Sequence, residues 1–377
     1  MLPVITWHAV VVAAMVTVGV AMAEEAFVDQ TETFVSGRDG YHTYRIPAMV
    51  VTTKGTVLAF CEGRKEGISD HGNIHIVLKR SADHGKTWGK MGLVWKEEGP
   101  GKKVTIGNPC AVVDHQTGAV WLAFCRDNKR VFVTQSADDG RTWSRPREIT
   151  ESVKNKAWGW YATGPGNGIQ LTGSKWKGRL VIPCDHTYTW PVKRDKPYYS
   201  HVIFSDDHGK TWKLGGSVGD AVNECAVVEL VDGTLLLNMR VWDSHRQRAI
   251  ARSVDGGKTW SKVEYDRALP DPRCQGSMVR LTDACGAVGD AILFSNAADP
   301  AKRVKMTVRL SHDGGATWPI ARQLHAGPSS YSSLAVAKDG TILCLYEGGK
   351  THRREWLRLA RFNLEWLSQG AKESGSK

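Results

Sequence analysis

The sequence has no CxxC pair and no cluster of His, Cys, Asp and Glu at metal-ligand spacing, so neither a thiolate metal site nor any other metal centre is expected. Beyond residue 23 no apolar run approaches membrane length. No stretch shows sustained helical periodicity, and no low-complexity linker divides the chain. With 41% hydrophobic and 8% aromatic residues, intrinsic disorder and a pure membrane protein are both excluded.

The first 23 residues lack Lys, Arg, Asp and Glu altogether, and Ala9 to Val20 are almost all apolar. Ala21-Met22-Ala23 then gives the small-x-small pattern of a signal-peptidase site ahead of Glu24-Glu25. Residues 1–23 therefore read as a cleavable signal peptide, with His8 standing where a Lys or Arg is customary. The expected location is secreted or periplasmic, with no stable membrane insertion after cleavage. Residues 24–368 read as one domain and 369–377 as a frayed tail.

Fifty Lys and Arg against thirty-nine Asp and Glu give +11, and removal of the leader leaves that charge untouched. Outside the cytoplasm this favours anionic substrates or glycans over nucleic acid. Eight cysteines would suggest disulfides in such a compartment. However, Cys61, Cys110, Cys125, Cys184, Cys225 and Cys344 each lie in an apolar run that reads as an inner strand, so buried free thiols are expected. Cys274 with Cys285 is the pair left open.

What the chain does have is repetition. SADHGKTW starts at Ser81, SADDGRTW at Ser136, SDDHGKTW at Ser205, SVDGGKTW at Ser253 and SHDGGATW at Ser311, with Ser, Asp, Gly, Thr and Trp at the same offsets. This is the chemistry of a tight hairpin turn. The Asp carboxylate accepts backbone N–H groups, Gly supplies the positive φ, and Trp packs beneath. One acid per copy is too few for a calcium site. Interleaved with these boxes are six apolar hairpins, each two runs of β-formers around a Gly-bearing turn: PAMVVTTKGTVLAFCEGR, PCAVVDHQTGAVWLAFCRD, GIQLTGSKWKGRLVIPCDH, CAVVELVDGTLLLNMR, GSMVRLTDACGAVGDAILFSN and SSLAVAKDGTILCLYEGG. Six such units predict an all-β chain, a six-bladed β-propeller with four-stranded antiparallel blades. The second strands of the hairpins end at Arg64, Arg126-Asp127, Asp185-His186, Arg240, Asn296 and Glu347, which predicts a polar ring around the axis on one face.

Over about residues 31–365 the chain resembles the exo-α-sialidases (neuraminidases) of bacterial and animal type. The resemblance is carried by Tyr44-Arg45-Ile46-Pro47, the five Asp boxes, Gly164-Pro165-Gly166-Asn167-Gly168-Ile169, Asn223-Glu224 and Tyr331-Ser332. Asn167 stands where a His is more familiar in bacterial relatives. The resemblance implies that Arg45, Arg240 and Arg303 grip the carboxylate of a sialic acid, with Arg64 as a fourth contact and Glu347 holding Arg45. Arginine suits this role because its fork makes charge-assisted, bidentate bonds to a carboxylate. Arg309, six residues beyond Arg303, is expected to face along its own strand.

The same resemblance makes Tyr331 the nucleophile, Glu224 its base and Asp70 the acid/base, with Glu66 and His71 as alternatives to Asp70 in the same loop. A tyrosine has a physical reason here: the anomeric carbon already bears a carboxylate, which would repel an anionic nucleophile. A phenol with an ordinary pKa of about 10 needs such a base. The implied reaction is retaining hydrolysis of sialic-acid-containing glycans without cofactor or metal. Two other outcomes share these features: a sialoglycan-binding propeller without catalysis, and a transfer or anhydro-forming variant. The latter would depend on aromatics above the pocket, for which Trp158, Trp160, Tyr188, Trp190 and Trp242 are candidates.

Overall fold

A computed structural model describes residues 25–99, 101, 103–173, 175–189, 198–281 and 289–374. The leader, Trp190, Cys285 and the last three residues lie outside the described residues. The regular structure of the described chain is almost wholly antiparallel sheet. Each expected hairpin supplies two neighbouring strands, because its apolar run is buried on both faces and its turn carries a glycine at positive φ or a polar loop.

Thr43–Val51, Val57–Arg64, Ile74–Ser81 and Gly92–Trp95 form the first sheet in chain order. Ile106–Val113, Val120–Arg126, Arg130–Ser136 and Arg147–Glu148 form the second, with Gly166–Asn167 added parallel to its first strand. Leu180–Thr187, Tyr199–Ser205 and Lys213–Val218 form the third, flanked by Trp160–Thr163 and Ile169–Gln170. Val222–Glu229, Leu235–Val241, Gln247–Ser253 and Glu264–Pro270 form the fourth.

The remaining strands make one seven-stranded sheet, because Ile320–Val336 is 17 residues long and serves two sets of partners. Up to Pro328 it pairs with Val304–Ser311, and from Ser329 with Ile342–Gly348. The outer edge beyond Trp356–Phe362 is completed by Val28–Val35 from the other end of the chain. Pairing first strand with last removes two open edges at once.

The five boxes adopt one geometry. In the first, Ser81 Oγ donates to Asp83 Oδ1 at 2.6 Å and accepts from Gly85 N at 2.9 Å. Asp83 in turn accepts from Thr87 N at 2.9 Å and Thr87 Oγ1 at 2.6 Å. Their glycines face the preceding sheet: Gly85 meets Leu359, Gly140 meets Leu58, Gly209 meets Trp121, Gly257 meets Val202 and Gly315 meets Leu236. The first box therefore leans on the last sheet, and the order is cyclic. At Gly209 (φ +82°) a Cβ would stand 2.1 Å from the Trp121 ring, so backbone conformation and close approach both require glycine there.

Seven cysteines are free and buried in the described residues, Cys274 among them, with its Sγ 3.4 Å from Ser330 Oγ. The expectation of a frayed tail from residue 369 is corrected in part. Leu364–Ser374 is an α-helix, and Trp366 and Leu367 cover the apolar end of the last sheet beside Phe362. Asn363 Oδ1 caps it by accepting from Trp366 N at 3.0 Å.

Candidate active site

A pocket of about 220 Å³ opens on the face where the second hairpin strands end. A shared backbone device builds its floor. The inner strands of four hairpins carry one extra residue relative to their partners, between Arg45 and Ala48, Gly107 and Cys110, Val222 and Cys225, and Ser329 and Ser332. Such bulges re-aim side chains out of the pleat. The residues at these four places, Arg45 with Ile46, Asn108, Asn223 with Glu224, and Tyr331, all line the pocket. Ile46 and Asn108 have φ of 61° and 57°, the distortion that the bulge imposes.

Arg45 is buried and gripped by Glu347: Nε donates to Oε1 at 3.1 Å and Nη2 to Oε2 at 3.2 Å, while Ile46 N adds a bond to Oε1 at 2.9 Å. Burial opposes the Arg45 charge, but Glu347, Tyr331 and Asp70 outweigh it and keep the guanidinium firmly protonated. Its Nη1 points into the pocket and donates to Asp70 Oδ1 at 3.0 Å.

Tyr331 sits at the centre of the cations. Its Oη donates to Glu224 Oε1. Arg240 Nη1 donates to Glu224 Oε2 at 2.6 Å and to Tyr331 Oη at 3.2 Å. The guanidiniums of Arg45 and Arg303 lie 4.9 and 5.8 Å from the ring centroid. Burial and then Glu224 push the phenol pKa well up, against the pull of Arg240, Arg303 and Arg45, so the resting phenol is neutral. Arg303 does not line the pocket itself. It is fastened to Arg273 O at 2.6 Å and Ser330 Oγ at 3.4 Å, beside Tyr331. Arg309 points elsewhere, donating to Asn296 Oδ1 at 3.2 Å.

Asp70 stands at the pocket rim with a side chain 68% exposed. Partial burial raises its pKa, but Arg45 and Arg64 outweigh this and hold the carboxyl down at about 2. Arg64 lies 2.7 Å from Asp70 Oδ1. Its other donors are also engaged: Nη1 with Ile68 O at 2.8 Å and Ser69 O at 3.0 Å, Nε and Nη2 with Glu62 at 3.0 and 2.6 Å. Arg64 therefore fastens the Asp70 loop as well as lining the pocket. Glu66 points away to Asn73 and Lys103, whereas His71 lines the pocket.

The expected polar ring is only partly realised. Of the six strand ends, Arg64 and Arg240 line the pocket and Glu347 braces Arg45 from below. Arg126 pairs with Glu97 at 2.9 Å, Asp127 accepts from Thr105 N at 3.0 Å, and Asn296 donates to Pro270 O at 2.7 Å. Asp185 and His186 are corrected to core positions. Asp185 is fully buried, and burial, then Glu224, drives its pKa well up, so it is a neutral acid behind the site. His186 bonds His201 at 3.0 Å and stacks on Trp158. That stacking buries Trp158, which removes it from the candidate rim aromatics. Trp160 and Trp242 do line the pocket and, with Tyr198 between them at 5.8 and 5.0 Å, make an aromatic wall. Tyr188 is exposed and apart from it.

Sequence reasoning missed Glu62, Asn108 and Tyr198. A signal existed for Glu62, a lone acid inside the apolar strand LAFCEGR two residues before Arg64. Its Oε1 also accepts from Asn108 N at 2.9 Å, tying the first sheet to the second.

Comparison with known proteins matches residues 30–344 to the BNR repeat-like domain. The chain is 35% identical over 356 residues to a sialidase of Micromonospora viridifaciens, covering 88% of this chain but 53% of that protein, so it spans about half that relative's length. It is 32% identical over 378 residues to an exo-alpha-sialidase of Aspergillus fumigatus, covering 88% and 86%. Among solved structures, the Hadza microbial sialidase Hz136 superposes with TM-score 0.81 at 29% identity, over 90% of this chain and 69% of that one. An intramolecular trans-sialidase from Ruminococcus gnavus, solved with oseltamivir carboxylate, shares the fold at TM-score 0.75 and 19% identity, over 89% and 97%.

Proposed function

The chain belongs to the BNR-repeat sialidase family, and we propose that it is a retaining exo-α-sialidase that removes terminal sialic acids from glycoconjugates through a sialyl-tyrosine intermediate. The observation that carries this reading is the contact of a buried, neutral Tyr331 with Glu224, flanked by Arg240, Arg45 and Arg303. A phenol with a base on its proton and three cations around its ring suits attack on a carbon that carries a carboxylate.

The substrate carboxylate takes the pocket-facing donors of Arg45 and Arg240, with Arg303 beside them. Asp70 already holds Arg45 Nη1 in the free site, so the incoming anion displaces it. With that cation shared, Asp70 protonates more readily and becomes the acid. The glycosidic C–O bond then breaks with its electron pair going to the leaving oxygen, which takes the Asp70 proton. Tyr331 Oη bonds to the anomeric carbon as its proton passes to Glu224. In the second step Asp70 takes a proton from water, water attacks the anomeric carbon, and Tyr331 leaves and recovers its proton from Glu224. Two inversions retain the α configuration.

Within this reading the seven-stranded sheet is two blades sharing one long strand, which makes six blades in all. Residues 1–23 act as an export signal, and the protein works outside the cytoplasm. The test is release of 4-methylumbelliferone from its α-sialoside by wild type and Tyr331→Phe. Turnover that collapses in the variant supports the reading, and product analysis separates free sialic acid from a transfer or anhydro product. A folded wild type with no turnover from acidic to neutral pH would leave a binding propeller.

A further inference from the structure

We propose that Arg353 and Arg354 form an anion subsite on the leaving-group side of the pocket, one that reads a carboxylate or sulfate on the departing glycan. The proposal rests on the sialidase reading above and goes on to name a substrate class for it.

The guanidiniums nearest the reaction are spent on carboxylates: Arg45 on Glu347 and Asp70, Arg64 on Glu62 and Asp70, Arg240 on Glu224. Arg353 and Arg354 are different. Both are half-buried, neither side chain has an ion pair or hydrogen bond among the described residues, and the Nε of each is buried without a partner. A solvated surface arginine needs no explanation, but two adjacent half-buried ones without a counter-ion do.

Their loop is built rather than slack. Glu355 accepts from Lys350 N at 2.8 Å, Thr351 N at 2.8 Å, Thr351 Oγ1 at 2.7 Å and His352 N at 2.7 Å. Ser36, just past the strand Val28–Val35, fixes the same loop by donating from Oγ to Arg354 O at 2.7 Å. The one acid of the loop is consumed in holding its shape, so the two cations stay uncompensated.

The loop also faces the right direction. A groove of about 440 Å³ runs between Arg354, His352 and Trp356 on one side and Ile68 on the other. Ile68 belongs to the loop of Asp70, and Arg64 Nη1 reaches both. Asp70 delivers its proton to the glycosidic oxygen, so the groove beyond it receives the sugar that departs. The Arg354 charge contributes to holding Asp70 ionised, while Arg353, depressed first by burial, also feels Arg303 and Arg45. Arg354 thus lines the groove beyond the acid, and Arg353 adjoins it in the chain. A leaving sugar with its own anionic group, such as an α2,8-linked sialyl residue or a sulfated galactose, meets complementary charge there.

The test is the ratio of kcat/KM for anionic over neutral leaving groups. An α2,8-disialyl-lactose and a sulfated sialyllactose are each compared with plain sialyllactose, in wild type, R353Q/R354Q and the opposite-face control K86Q/K210Q. The ratio is expected to fall about fivefold in R353Q/R354Q, the size of a partly exposed charge pair. In wild type it should also fall at about 0.5 M salt, where screening shortens the reach of the pair. Loss for the disialyl substrate alone assigns a carboxylate, loss for the sulfated one alone a sulfate, and loss for both a general anion site. An unchanged ratio in R353Q/R354Q, or an equal fall in K86Q/K210Q, overturns the subsite while leaving the sialidase reading intact. Absence of turnover on plain sialyllactose by folded wild type overturns both.

Discussion

Tyr331 gives its phenolic hydrogen bond to Glu224 while Arg240 Nη1 contacts both groups, at 3.2 Å from the tyrosine oxygen and 2.6 Å from the carboxylate. In the proposed mechanism the cation steadies Glu224 in the resting state and stabilises phenolate character as the proton leaves. Tyr331→Phe should lower kcat on the order of 10³-fold, because nucleophile and proton path vanish together. Steady-state hydrolysis of an aryl α-sialoside, with circular dichroism to confirm folding, measures this. A loss under about tenfold would remove Tyr331 from the role.

Glu347→Gln tests how Arg45 is aimed. Both carboxylate oxygens hold that guanidinium, and the pair is almost fully buried. Removing its buried counter-charge, with only the exposed Asp70 left to pair it, should cost about 3 kcal/mol of stability. KM should rise more than kcat falls, since the substrate carboxylate meets a misaligned arginine. A denaturant midpoint and the KM-against-kcat split report the two effects separately. Unchanged KM would mean that Arg45 is held by other contacts.

Binding of a sialic-acid-like inhibitor should take up protons. Asp70 is held at about 2 by Arg45 and Arg64 in the free site, and an anion arriving at Arg45 raises that pKa. A raised pKa means protonation on binding, and the uptake should grow as pH falls from 7 towards 4. Calorimetry in two buffers of different ionisation enthalpy measures it, with Asp70→Asn as the variant that abolishes it. Proton release, or uptake that persists in Asp70→Asn, would contradict the exchange.

The box acids are expected to act on stability alone. Strand Ile74–Ser81 runs antiparallel to Val57–Arg64, so Ser81 lies opposite Val57, at the far end from Arg64 and the pocket. Asp83→Ala removes bonds from Ser81 Oγ, Thr87 N and Thr87 Oγ1 and should cost about 1–2 kcal/mol, with kcat unaltered. Burial raises the Asp83 pKa, but the hydrogen bonds of the turn outweigh this and hold it at about 2. A depressed carboxylate pKa stabilises above the unfolded value of about 4 and loses that contribution as pH falls towards 2. The midpoint difference between wild type and variant should therefore shrink over that window. A constant difference would mean the carboxylate charge is irrelevant to the turn.

The strands were legible because an apolar run around a Gly-bearing turn has few alternatives to a buried hairpin. The boxes were legible because Asp, Gly and Trp each have a separate task at a fixed offset. What could not be read was register. The bulges at Arg45, Asn108, Glu224 and Tyr331 depend on which residue of the partner strand each one faces, and no local pattern encodes that. The same gap explains Asp185 and His186, whose polarity suggested the site although the strand carries them into the core. The last helix was overlooked although Asn363, a good cap, precedes Leu364 and Trp366. Its 11 residues are too few to stand out by periodicity.

Pairing Val28–Val35 with Trp356–Phe362 sets a timetable for synthesis. Arg45 leaves the ribosome early, but the carboxylate that aims it lies 302 residues later in the chain, and the strand that pairs with Val28–Val35 emerges later still. Contacts of such sequence separation form slowly and cannot reward early collapse. A nascent chain halted before Glu347 would thus carry Asp70 and Glu224 without a working carboxylate clamp. Within the sialidase reading, a chain cut between Tyr331 and Glu347 should be silent although it keeps the tyrosine, because Arg45 has lost the carboxylate that aims it.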